Sequence, residues 1–145
     1  MQAGGYAQYR TVTTQTSSPA HLLIQLFQAA VRNCSQATEA IKRTDVPAAH
    51  HHIVRVQDIV LELQRTLDHE KGGEIAAELD KLYHFMYRHL LTANINKDAQ
   101  QVNEIADLLR QLLQAFQVAA SQEAAAARLS QPTLVPSPAL GAMSA

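Results

Sequence analysis

A chain of 145 residues with a formal net charge of −1 has room for one domain with one core, and it lacks the clustered Lys and Arg that nucleic-acid binding requires. No apolar run approaches the roughly 18 residues of a membrane span, and the first residues lack the basic start and apolar core of a Sec-type signal. We therefore expect a cytoplasmic protein with no stable membrane insertion and no nucleic-acid partner.

Residues 1–17 are polar, rich in Thr, Gln and Ser, and too short to fold alone, so they predict a short turn or an N-terminal strap laid over the body. Ser18-Pro19 is a typical helix start, with Ser as N-cap and Pro at the first helical position. Apolar residues then trace one face of the first helix: Leu23, Leu26, Phe27, Ala30, Cys34, Ala37 and Ile41. Pro47 disfavours helical backbone in the residue before it, so the Thr44–Pro47 step separates the first helix from the second.

The second helix is predicted from Pro47 to His69, and a tight reversal is predicted at Lys71-Gly72-Gly73 because Gly readily takes left-handed conformations. Its apolar stripe comprises Ala49, Ile53, Val56, Val60, Leu63 and Leu67. The third helix is predicted over Gly72–Asn94. Its stripe comprises Ile75, Leu79, Leu82, Met86, Leu90 and Ala93.

Asp98 is placed to cap a fourth helix, with Gln101 positioned for a capping box. The stripe of this helix comprises Val102, Ile105, Leu109, Leu112, Phe116 and Ala119, and an Ala-rich run prolongs it to about Leu129. From Ser130 the composition turns to Pro, Ser, Ala and Leu, which predicts a mobile tail over 130–145. Four helices with short links predict an all-α fold over 18–129, an antiparallel up-down four-helix bundle.

Each predicted helix also carries apolar residues outside its main stripe. They are Ile24, Val31, Val54, Leu61, Phe85, Leu91, Leu108 and Leu113. Any one of them could simply fill a wide core. Their occurrence on all four helices favours a groove that binds an amphipathic segment of a partner. The surplus is plainest on the third helix, where Phe85 and Leu91 lie off the buried stripe.

The chain offers little for catalysis or metal binding. His50, His51 and His52 are consecutive and point about 100° apart on a helix, so they cannot converge on one ion. We expect the histidines to face solvent or cap helix ends. The sequence has no G-x-S-x-G nucleophile elbow, and Gly72-Gly73 has neither a preceding strand nor the lysine that follows the glycine in a Walker motif. Cys34 is the single cysteine and reads as a small buried hydrophobe. We therefore expect no catalytic residue, no metal and no cofactor.

Five segments carry a resemblance to a known family. They are Ser18-Pro19 with His21-Leu22-Leu23 and Leu26-Phe27; Asp45-Val46-Pro47; Gly72-Gly73-Glu74-Ile75-Ala76 with Leu79 and Leu82-Tyr83; Leu90-Leu91-x-Ala93-Asn94; and Leu112 to Phe116. In this order and spacing they resemble the FliS family of flagellin export chaperones. The resemblance covers about residues 4–120. Phe116 stands where the family usually has Trp, and Gln28 where an acidic residue is usual.

The resemblance implies a bacterial cytosolic chaperone of flagellar type III export, and not an enzyme. Such a chaperone binds the disordered C-terminal segment of flagellin, prevents premature polymerisation and delivers the subunit to the export gate. Tyr6 falls at the position of the family's N-terminal tyrosine, so Tyr6 and then Tyr9 are candidates for capping the groove or docking to an export-gate component. Both could instead only anchor a loose terminus.

Two other interpretations remain. One is a four-helix scaffold whose extra apolar residues mediate only self-association, and the same surface could also form a homodimer without client. The other is an enzyme that uses the bundle interior, which lacks an inward acid–base or metal set.

Overall fold

The computed structural model describes residues 18–130, and this part of the chain is helical, without a β-strand. The helices are α1 (Pro19–Lys42), α2 (Val46–Arg65), α3 (His69–Asn96) and α4 (Ala99–Leu129). None of these four helices has an apolar stretch long enough to cross a membrane. The predicted strap, with Tyr6 and Tyr9, lies outside the described residues, as does the tail after Ser130.

Polar residues start all four helices. The N-caps are Ser18, Asp45, Asp68 and Asp98, and each accepts a backbone N–H through its side chain. The link between α1 and α2 is also as predicted, since Pro47 sits in the first turn of α2.

Only one of the two hydrogen bonds of the predicted capping box forms at the start of α4. Asp98 Oδ1 accepts the Gln101 backbone N–H at 3.3 Å, as a cap should. The reciprocal bond is absent because the Asp98 N–H donates to the Ala93 carbonyl at 3.0 Å. That bond follows from the left-handed conformation of Lys97, with φ 51°, which turns the chain out of α3.

The core is apolar and draws on all four helices. Its fully or almost fully buried members include Phe27, Ala30, Cys34, Ile53, Val56, Val60, Leu63, Tyr83, Met86, Leu90, Val102, Ile105 and Leu109. Most lie on the predicted stripes. Tyr83, at 1% exposure, was missed as a core residue although it stands four residues after Leu79 and three before Met86. Phe27 stacks on Phe116 across α1 and α4, with ring centroids 5.2 Å apart.

The four helices pack in a ring. α1 packs most extensively, against α2 and α4, whereas α3 packs less extensively against the same two helices. Each helix therefore has two main neighbours and one core is shared by all four, which confirms the predicted helical bundle.

Three hydrogen bonds set the register of α2 against α3. They join His50 Nδ1 to Asn94 Nδ2 (2.9 Å), Gln57 Nε2 to the Tyr87 carbonyl (3.3 Å) and Gln64 Nε2 to Asp80 Oδ1 (3.1 Å). From one bond to the next, the α2 partner advances by seven residues and the α3 partner goes back by seven. α2 and α3 therefore run antiparallel with a two-turn repeat. The complete up-down order of the four helices stays a prediction.

The predicted boundary between the second and third helices is wrong. α2 ends at Arg65 rather than near His69, and α3 begins at His69, before the glycine pair. Thr66 ends α2, and its Oγ1 donates to the Leu63 carbonyl at 2.6 Å. Gly73 does take a positive φ of 50°, but it breaks α3 near its start rather than reversing the chain.

Two residues of the predicted stripes are exposed instead of buried. Ile75 is 72% exposed because the seven-residue register would place its α2 partner near residue 69, beyond the end of α2. Ala119 is exposed in the part of α4 that extends past Phe116, where the core ends. Both positions have the right helical phase and lack a neighbouring helix to cover them.

Candidate partner-binding surface

Three of the candidate residues flank the contact between α2 and α3. Val54 and Leu61 each follow a residue bonded to α3 by four positions, so they lie on the α3-facing side of α2. Leu91 follows Tyr87 by four positions in the same way on α3. The register places Val54 at the level of Leu91. We name Val54, Leu61 and Leu91 the α2/α3 groove.

The three residues of the α2/α3 groove differ in exposure. Val54 and Leu61 are half-buried, whereas Leu91 is 50% exposed. Gln57 is buried at this contact and donates to the Tyr87 carbonyl. Aliphatic side chains thus flank a hydrogen-bonded polar contact between the two helices.

A second depression lies between α1 and α4. Ile24 lines it together with Gln28 on α1 and Ala120 and Ala124 on α4, and its volume is about 760 Å³. Gln28 faces this depression, so the position at which the sequence departs from the family's usual acidic residue lies beside a candidate binding residue. Polar side chains and small alanines make up most of the lining, and Ile24 is its one large aliphatic side chain.

The remaining candidates occupy two different environments. Val31, Leu108 and Leu113 are partly buried and pack against the core. Phe85 is 50% exposed and stacks on His89, with ring centroids 5.1 Å apart. The structure therefore distributes the eight predicted residues over several surfaces and does not gather them into one.

Sequence reasoning missed several exposed apolar residues. Leu22, Ile75, Ile95 and Val118 are 45%, 72%, 74% and 50% exposed. Leu22 lines a cavity of about 420 Å³ with Leu26 and Thr66, and Ile75 lines a neighbouring one of about 180 Å³. Leu23 lines both cavities, so apolar surface is continuous across this end of the bundle. This surface lies at the C-terminal end of α2, which ends at Arg65 and not near His69 as predicted.

The histidines connect helices. His52 Nδ1 contacts Asn33 Oδ1 at 2.9 Å between α2 and α1, and His89 Nε2 contacts Glu104 Oε1 at 2.7 Å between α3 and α4. The expectation of solvent-facing or capping histidines is therefore wrong for these two. Burial, with the nearby charges of His51 and Arg43, lowers the pKa of His52.

The buried titratable groups are chemically quiet. Burial raises the pKa of the Cys34 thiol to about 12, against the smaller opposing effect of the Arg110 charge. Burial likewise raises the pKa of Tyr83 to about 12. Neither group is ionised near neutral pH. Among residues 18–130, no three His, Cys, Asp or Glu side chains converge as metal ligands.

Comparison with known proteins decides the family. The family model described as flagellar protein FliS matches residues 1–123. The chain belongs to the FliS family. A relative from Salmonella typhimurium is 34% identical over 119 residues, which cover 79% of this chain and 88% of the relative. One from Campylobacter jejuni is 31% identical and covers 83% and 94%, and one from Bacillus subtilis is 26% identical and covers 81% and 87%. All three relatives are named flagellar secretion chaperone FliS.

The matched region can be compared with the segments that carried the resemblance and with the helices. It spans all the segments that carried the resemblance and reaches into the α4 extension as far as residue 123. α1, α2, α3 with its exposed apolar residues, and most of α4 lie inside the matched region. The last residues of α4, including Leu129, lie outside it.

Proposed function

We propose that this chain is a flagellar secretion chaperone of the bacterial cytosol and not an enzyme. Its client is the C-terminal segment of flagellin, which it keeps from polymerising and delivers to the export gate. The observation that carries this proposal is the FliS family match over residues 1–123. The names of the relatives extend it to secretion, because each is called a flagellar secretion chaperone.

The surface of the bundle supports a long, extended client rather than a compact one. Apolar groups occur in the α2/α3 groove, beside Ile24 between α1 and α4, and at Phe85 on α3. A disordered segment loses conformational entropy when it binds, so it needs a long apolar track to compensate. Separate short surfaces on several helices can provide such a track if the client wraps around the bundle.

The client is tested with flagellin and with flagellin that lacks its C-terminal segment. Isothermal titration calorimetry should show roughly stoichiometric binding to the first and loss of binding to the second. Equal heats with both proteins would refute the proposal. If the chain bound neither and instead associated with itself in sedimentation experiments, the self-association scaffold would be the better interpretation.

The α2/α3 groove is tested by Leu61→Asp. Because Leu61 is half-buried at the groove edge, a carboxylate there should weaken flagellin binding by about tenfold or more, at a modest cost in stability. Leu129→Asp is the matched control, since Leu129 is 89% exposed and lies outside the family match. Far-UV circular dichroism and thermal melting accompany both titrations. Unfolding of the Leu61 variant would show that Leu61 is part of the core.

Docking to the export gate is proposed for Tyr6, with Tyr9 as a second contact. The proposal comes from the family resemblance of the first residues. Tyr6→Ala should reduce motility and flagellin secretion in cells more than it reduces flagellin binding in solution. An equal loss in both assays would place Tyr6 with client binding, and no loss in either would refute its role.

A further inference from the structure

The outward side of α3 carries a surface of its own. We name Lys81, His84, Phe85, Arg88, Leu91 and Ile95 the α3 outer face. At 100° per residue these six side chains fall within one arc of the helix. The buried residues Tyr83, Met86 and Leu90 fall on the opposite arc. The α3 outer face therefore contributes nothing to the core.

Apolar groups on the α3 outer face are large and well exposed. Phe85 and Leu91 are each 50% exposed, and Ile95 is 74% exposed. An open depression of about 520 Å³ lies between Phe85, Leu91 and the long side chains of Lys81 and Arg88. Single exposed apolar residues are ordinary, but three on one side of one helix, beside a depression, are typical of an interaction surface.

The charge of this surface is positive from Lys81 onward, with Glu78 at its N-terminal end. From Lys81 to Asn96 the sequence contains two permanent cations and two histidines, and no Asp or Glu. Within residues 18–130, no carboxylate lies within ion-pair distance of Arg88, and Lys81 contacts only Glu78, at 3.6 Å between two exposed side chains. Glu104, the nearest acid on α4, contacts His89 instead. Arg88 therefore has no ion-pair partner among residues 18–130, and Lys81 has only an exposed one that a partner's carboxylate could replace.

We propose that the α3 outer face binds an amphipathic helix whose apolar stripe is flanked by acidic side chains. The surface spans about 21 Å from Lys81 to Ile95 at ~1.5 Å per residue, which matches about four turns of a partner helix. Phe85, Leu91 and Ile95 would meet the apolar stripe. Lys81 and Arg88 would meet the carboxylates beside it, and this charge complementarity fixes the chemistry of the partner.

This surface shares Phe85 and Leu91 with the apolar track proposed above for the client, but the partner proposed here is set apart by the acidic side chains that flank its apolar stripe. The α2/α3 groove depends on Val54 and Leu61 of α2, whereas the α3 outer face uses no residue of α2. The proposal does not require flagellin, because its test uses a designed peptide. Failure of the client proposal would leave it standing, and the reverse is also true.

The test uses the full chain and a pair of designed amphipathic peptides of about 18 residues, long enough to hold some helix. Both carry the same Leu stripe, flanked by Glu in one peptide and by Lys in the other. Fluorescence anisotropy should show at least tenfold tighter binding of the acidic peptide. Its affinity should fall several-fold between about 0.05 M and about 0.5 M salt, because exposed charge pairs are screened.

Charge-reversal variants locate the site. The double variant Lys81→Glu with Arg88→Glu should bind the acidic peptide at least tenfold more weakly and the basic peptide more tightly than the unaltered chain does. Arg32→Glu with Arg55→Glu is the matched control, because it changes the net charge equally at exposed positions on α1 and α2. Equal losses in both double variants would show a general charge effect and overturn the proposal.

A second variant separates the apolar contribution from the charge. Phe85→Ser should weaken the acidic peptide while melting stays close to that of the unaltered chain, since Phe85 is half exposed. Sedimentation is run on both proteins. A concentration-dependent dimer that Phe85→Ser dissociates would show that a second copy of this chain covers the surface, which also overturns the proposal.

Discussion

Asn94 is the polar residue whose loss should cost the bundle most. It is 8% exposed at the end of α3, and its Nδ2 donates to His50 Nδ1 at 2.9 Å. Its Oδ1 accepts from Lys97 Nζ, also at 2.9 Å. A neutral hydrogen bond contributes about 1 kcal/mol and a bond to a charged group about 1.5–3 kcal/mol. His50 is exposed and Lys97 is half-buried, so water can replace part of both hydrogen bonds when Asn94 is removed.

Asn94→Ala should therefore destabilise the protein by about 2 kcal/mol, or about 8 °C in melting temperature for a bundle of this size. Asn103→Ala is the matched control, because Asn103 is exposed on α4 and alanine is the better helix former. Circular dichroism melts follow both variants. A double-mutant cycle with His50→Ala should give a coupling of about 0.5–1 kcal/mol. Equal melting shifts for Asn94→Ala and Asn103→Ala, or zero coupling, would refute the reasoning.

Three further predictions each concern a single residue. Cys34, with its pKa raised to about 12, should resist iodoacetamide in the native protein at mildly alkaline pH and react once denaturant is added; native alkylation as fast as that of a free thiol would contradict its burial. Because the folded protein lowers the pKa of His52, the unfolded chain binds more protons as pH falls through 6.5, so stability should decline there, and His52→Gln should lessen the decline; identical pH profiles of melting would refute this. Gly73→Ala should lower the free energy of unfolding, measured by chemical denaturation, by about 2 kcal/mol, because φ 50° with ψ −121° strains an L-residue even though the added Cβ would meet no atom within 4 Å. Glu74→Ala, at an exposed neighbouring position, is the control, and equal stabilities of the two variants would show that the kink relaxes.

The sequence pattern predicted the parts of the fold that depend on local chemistry. Ser18-Pro19 and Asp45-Val46-Pro47 begin helices because capping oxygens and a proline at the first turn act over three or four residues. The buried stripe of α1 followed from spacing alone. In each of these cases the information and its structural effect lie within a few residues of each other.

Predictions failed where a residue's environment depends on another helix. Ile75 has the right phase for the core, but its exposure depends on α2 ending at Arg65. The sequence does contain a signal for that ending, because Thr66 and Asp68 are residues that favour turns and helix caps. The prediction instead placed the boundary at the glycine pair, which begins four residues after Asp68.

The candidate site illustrates the same difficulty. Val31 and Phe85 were both apolar residues outside a predicted stripe, and nothing in the sequence distinguishes them. Val31 packs against the core because α1 lies between two extensive helix contacts, whereas Phe85 stays half exposed on α3, which packs less extensively. Whether a surplus apolar residue widens the core or faces a partner is thus decided by how its helix packs.

The way α3 packs connects the fold with both proposed surfaces. A bundle helix can expose apolar groups without losing its place only if other contacts hold it. α3 has them in the three hydrogen bonds that it makes with His50, Gln57 and Gln64 of α2, which fix its register without using its outer side. Hydrogen bonds across the α2–α3 contact therefore help to hold α3 in position, as apolar packing does for α1. They leave Phe85, Leu91 and Ile95 exposed on the outer side of α3. On this view the surplus apolar surface of α3 is compatible with a stable fold because the polar ladder specifies where the helix lies.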